Sequence, residues 1–175
     1  MILSWLRPRR QTHHRPQTFR PRLEALDHRI VPANAHFVSA SSTISPTTGV
    51  LTVNFKEAGL GNNQQVELTL TGEAHAVYQW FNHGGQNPMG QPFVVDETFS
   101  VTGTFTSDKN GNVRGTFTVS PPGVDAFFST QHAANWVPML SVSYTNVGIV
   151  DTTNGASTFE EGFDLDQETA IKIRV

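Results

Sequence analysis

Residues 96–122, DETFSVTGTFTSDKNGNVRGTFTVSPP, decide the fold class. Phe99, Val101, Gly103 and Phe105 alternate with Ser100, Thr102, Thr104 and Thr106. After a short polar break, Val113, Gly115, Phe117 and Val119 alternate with Arg114, Thr116, Thr118 and Ser120. A period of two, carried by aromatic and β-branched residues, is the mark of strands with one buried face. Read as a hairpin, the stretch constrains its own turn. Residues directly opposite on antiparallel strands share a face, so the odd-numbered apolar residues must meet each other. A two-residue Asn110-Gly111 turn would set Phe against Thr. A three-residue loop, Lys109 to Gly111, keeps the faces together, with Gly111 in the left-handed conformation. That register predicts Phe105 over Gly115, Phe117 over Gly103, and hydroxyl pairs Thr102–Thr118 and Thr104–Thr116.

Outward from this stretch the pattern continues. Residues 36–44, 50–57, 65–71, 72–81, 93–106, 140–147 and 169–175 read as strands separated by Gly, Pro and Asn turn signals. Leu51, Val53, Phe55, Val66, Leu68 and Leu70 are expected to face inward, and Lys56 and Glu67 outward. Residues 124–138 read either as one or two helical turns started by Asp125 or as a loop packing Phe127, Phe128 and Trp136. Seven to nine short strands predict a single antiparallel β-sandwich over residues 34–175, Ig-like or jelly-roll-like.

Charge divides the 175-residue chain in two. Residues 1–32 hold seven arginines against Glu24 and Asp27, whereas the remainder holds five Lys/Arg against thirteen acids. The acidic remainder argues against a nucleic-acid partner. The first 33 residues read as a basic leader, mostly disordered, with a short amphipathic helix over residues 21–31 on which Leu23, Leu26 and Ile30 share a face. The absence of cysteine removes disulfides and thiol chemistry from consideration.

The segment RPRLEALDHRIVPA, residues 20–33, resembles the LEPR-XLL-type N-terminal segment of exported planctomycete proteins. Leu23, Glu24, Leu26, Arg29 and Pro32 match its pattern, Asp27 replaces Glu, and His28 departs from the usual Asp. The resemblance implies an extracellular or cell-surface destination and an export or sorting machine as the leader's partner. It is silent on residues 34–175.

Candidate chemistry is sparse. Asp164, Asp166 and Glu168 alternate and, if extended, would point three carboxylates one way; a hard cation takes oxygen ligands of this kind, so calcium is the cofactor they suggest. Asp108 to Asn112 carries calcium-loop residue types but reads better as a turn. Tyr78, Trp80 and Trp136 lie beside Gly/Asn/Gln-rich loops and would, if exposed, form a sugar-stacking platform; buried, they are core. His36, His75, His83 and His132 lack metal-ligand spacing, and no nucleophile-elbow motif occurs. The function expected is therefore an exported β-sandwich module that binds a surface protein or builds structure without catalysis. The alternatives are a calcium-supported carbohydrate-binding or adhesive domain and, behind it, a jelly-roll hydrolase.

Overall fold

A computed structural model describes residues 34–82, 88–129 and 136–172. Leu23, Glu24, Leu26, Arg29 and Pro32 of the leader, together with His83, His132, Ile173 and Val175, lie outside the described residues. Within residues 34–172 the strands form two antiparallel sheets. One is three-stranded, with β1 (His36–Ile44), β2 (Leu51–Ala58) and β5 (Val113–Val119) in the order β1-β2-β5. The other is four-stranded, with β3 (Gln65–Asn82), β4 (Pro88–Thr106), β6 (Trp136–Asp151) and β7 (Gln167–Lys172) in the order β4-β3-β6-β7. A five-residue helix, α1 (Val124–Phe128), sits between β5 and β6. The expected all-β sandwich is the observed architecture.

Alternation builds the core. Leu51, Val53, Phe55 and Phe117 of the smaller sheet are buried together with Val66, Leu68, Leu70, Ala76, Leu140 and Val142 of the larger one. Residues 65–71 and 72–81, read as two strands, belong to one 18-residue strand, Gln65–Asn82, because the inward alternation of Leu68, Leu70, Gly72 and Ala74 runs through without a break.

The stretch that decided the fold class is not a hairpin. β4 pairs with β3, and β5 pairs with β2, so the two strands belong to different sheets. The connection is six residues long, 107–112, and carries the chain from one layer to the other. Gly111 is left-handed as expected, at φ 73°. The ring-over-glycine contacts survive in a different geometry: Phe105 covers Gly115 and Phe117 lies against Gly103 across the sandwich, while Phe55 covers Gly115 from the neighbouring strand of its own sheet. The predicted threonine pairs do not form. Thr102 Oγ1 lies 2.9 Å from Thr69 Oγ1, and Thr116 donates to Asn54 Oδ1 at 2.7 Å.

Two irregularities shape the ends of the core. The β3–β6 register slips by one residue between Thr71 and Glu73, beside Asn146 at φ 53°. Before the slip, Leu140, Val142 and Tyr144 face inward; after it, Val147, Ile149 and Asp151 do. The bulge therefore turns Asp151 into the interior. At the other end, α1 starts at left-handed Gly123 with no side-chain cap, so Asp125 does not cap it. Its Phe127 stacks on Tyr78 at 4.9 Å and on Trp80 at 5.0 Å.

Candidate functional site: the outer face of the four-stranded sheet

Of the residues expected to bind ligand, Tyr78 belongs to the core and Trp80 packs against it. Tyr78 is fully buried, and its hydroxyl donates to the Pro122 carbonyl at 2.7 Å. Burial pushes its pKa up to about 12, so it stays a donor. Trp80 is partly buried between Phe127 and Phe128. Trp136 is half-buried at the start of β6, opposite Asn82. These three do not gather into an open platform.

The acidic triplet is divided as well. Asp164 Oδ1 accepts the Asp166 N–H at 3.2 Å, and Asp166 Oδ1 accepts the Val147 N–H at 3.0 Å. Asp164 is tied to a backbone donor of the β6–β7 connection and Asp166 to one of β6 itself. Glu168 stands on β7 opposite Ser143. Among the described residues, no three His, Asp or Glu side chains are grouped to hold a metal ion. Asp108 closes its turn by accepting from the Asn110 and Asn112 N–H groups at 2.7 and 3.0 Å. Those bonds hold its carboxyl below the usual range.

Sequence reasoning missed two groups. Glu57 continues the inward parity of Leu51, Val53 and Phe55, and it is completely buried, as is Asp151 facing it from the other sheet. Asp151 is well satisfied: Oδ1 accepts from the Thr153 and Asn154 N–H groups, and Oδ2 from the Asn154 amide. Glu57 is not, since neither oxygen meets a partner with hydrogen-bond geometry among the described residues. Burial first, then the adjacent Asp151 carboxyl and the charge of Glu161, push its pKa up to about 8. Its strand parity was the available signal; Asp151 needed the bulge, which the sequence does not announce.

The outer face of the larger sheet is accessible and varied in character. Alternation places Thr69, Thr71, Glu73, His75, Val77, Gln79 and Phe81 of β3 along this face. Asp96 faces His75 across β4, and Nδ1 lies 2.5 Å from its carboxylate. Ser143 faces His75 from β6, so Asp96, His75, Ser143 and Glu168 form a row across four strands. Glu73, Glu97 and Thr145 join His75 and Asp96 around a shallow cleft of about 260 Å3. A nucleophilic site also needs preorganised donors for a developing oxyanion. The backbone N–H groups of β3 and β6 around this row are engaged in sheet pairing, which leaves a solvated His–Asp pair. Two residues further along β3 the face becomes apolar. Val77, Phe81, Pro88, Pro92, Met139 and Ala170, with the polar Gln79 and Ser141 among them, line a groove of about 350 Å3.

No protein-family model matches the chain, and no curated protein matches it. Among solved structures it is similar to Spo0M, a sporulation control protein from Bacillus subtilis, at 12% identity and a TM-score of 0.28. That match covers 81% of this chain and 50% of the Spo0M chain. No helix of the described residues is long and apolar enough to cross a membrane.

Proposed function

We propose that this protein is an exported, surface or extracellular β-sandwich module that binds a polypeptide on the outer face of its four-stranded sheet, without catalysis. The observation that carries the reading is the change of character along β3. Its outer face runs Thr69, Thr71, Glu73, His75 and then Val77, Gln79, Phe81. An outward sheet face is ordinarily polar throughout, and a contiguous apolar patch rimmed by polar groups marks a contact surface. The acidic cleft beside the groove favours a segment that carries apolar side chains next to a basic one. The export half of the reading rests on residues 20–33 and their resemblance to a planctomycete sorting segment.

Titrating the isotope-labelled full chain with an arginine–phenylalanine hexapeptide tests the binding half. Amide shifts concentrated at Val77, Phe81 and Met139, and weaker with a glutamate–phenylalanine hexapeptide, are expected. Absent or evenly scattered shifts would remove the reading. For export, Leu23→Asp with Leu26→Asp in a planctomycete host should move the protein from the surface and medium into the cell. An unchanged distribution would detach the leader from sorting.

A further inference from the structure

The two sheets have four lateral edges, β1, β5, β4 and β7. An exposed edge strand is a template for another strand, and folded proteins blunt such edges with bulges, prolines, charges or brevity. The other three edges are shorter than β4, and each carries at least one blunting feature. β1 has a bulge between Phe37 and Ser39. β5 is seven residues long, with Arg114 near its start and Pro121 just beyond its end. β7 is six residues long and carries Glu168 and Lys172.

β4 differs. It is 19 residues long and, among the described strands, pairs only with β3. Its first half is guarded by Pro88, Pro92, Asp96 and Glu97. Its second half, residues 98–106, TFSVTGTFT, has no proline and no charge, and its pairing with β3 runs without a register shift. The even-numbered residues of this half are exposed.

The same nine letters also indicate which strand would fit. They read almost identically in both directions about Thr102. We propose that residues 98–106 are the two-fold interface of a homodimer, in which β4 pairs antiparallel with β4 of a second copy, centred on Thr102. In that register Thr98 opposes the partner's Thr106, Phe99 the partner's Phe105, and Ser100 the partner's Thr104. Val101 meets the partner's Gly103, and the two Thr102 residues meet on the axis. Each inward residue opposes an inward residue and each outward hydroxyl opposes a hydroxyl, the cross-strand arrangement that stabilises a sheet. A slip of one residue would set Phe against Thr. The contact is isologous: each copy uses the same edge, so it closes at two subunits rather than growing into a fibre. The product is a continuous eight-stranded sheet.

Sedimentation equilibrium of the full chain over a micromolar dilution series tests this, with circular dichroism to verify folding. The wild type should show a dimer mass. Thr102→Lys sets two ammonium groups against each other on the axis and should weaken association by about tenfold or more. A second pair of variants tests the register. Ser100→Lys with Thr104→Lys places like charges opposite each other and should give monomers, whereas Ser100→Glu with Thr104→Lys places opposite charges there and should keep the dimer. A monomeric wild type, or a dimer indifferent to all three variants, would overturn the proposal.

Discussion

The two ends of the core are closed by opposite chemistry. At one end Tyr78, Trp80, Phe93 and Phe127 stack under the overhang of the longer sheet. At the other, Glu57 and Asp151 are both buried with no cation paired to either among the described residues, and the hydrogen-bonded His75–Asp96 pair lies on the outer surface. The aromatic end gains from burial of large rings. The carboxyl end bears the desolvation of two acids, which is tolerable only while Glu57 keeps its proton. One end therefore depends on packing and hardly on pH, and the other depends on both.

The largest effect should come from emptying the aromatic end. Phe127→Ala removes a buried ring packed against Tyr78, Trp80, Phe93 and Phe128 and should cost about 3–5 kcal/mol, read as a drop in the denaturation midpoint that is nearly the same at pH 5 and pH 8. A loss below 1 kcal/mol would mean that α1 is not part of the core.

The carboxyl end should respond in the opposite sense. Unfolded, Glu57 ionises near 4.5; folded, near 8. Below about pH 4.5 both states hold the proton, and Glu57 costs nothing through ionisation. As pH rises from 4.5 toward 8, only the unfolded chain releases it, so stability falls. Above 8 the deficit is constant. Glu57→Gln removes the titration, so the variant should gain on the wild type by up to about 1.4 kcal/mol per pH unit within that window. Parallel pH profiles for the two proteins would place Glu57 in contact with solvent.

Smaller still should be the loss of a phenol. Tyr78→Phe leaves the Pro122 carbonyl without its buried donor and should cost about 1–3 kcal/mol, with the ring stack intact by near-ultraviolet dichroism. The smallest effect belongs to the exposed turn, far from either end's logic. Asp108→Ala should lower the melting temperature slightly at neutral pH. Because the folded carboxyl is held below its ordinary range of about 4, that difference should vanish as the pH falls through the folded value.

Residues 96–122 show what can and cannot be read from a string. The alternation identified the inward residues, and the parity argument correctly put Phe105 against Gly115 and Phe117 against Gly103. It could not say whether the facing strand lies beside or above, since inward side chains meet in both arrangements. β4 finds an 18-residue partner in β3 where β5 offers seven residues, and β5 pairs with β2 along its whole length. The core positions of β2, β3 and β6 were legible for the same reason of parity. Asp151 was not, because a single left-handed Asn146 reverses the parity behind it. Tyr78 and Trp80 carried identical signals as platform or as core. Only the position of α1, a segment with no strong period of its own, separates the two.

The buried tyrosines tie these observations together. Tyr144, on β6, donates to the Gly49 carbonyl at 2.9 Å and lies 3.4 Å from that of Val119, while Tyr78, on β3, reaches Pro122. In every case the donor belongs to one layer and the acceptor to a segment that enters or leaves the other. Oily contacts alone would let the layers slide with little change in buried area. The phenols act as dowels that set a single lateral alignment, and their raised pKa values keep both dowels in place across the whole pH range in which the carboxyl end loosens.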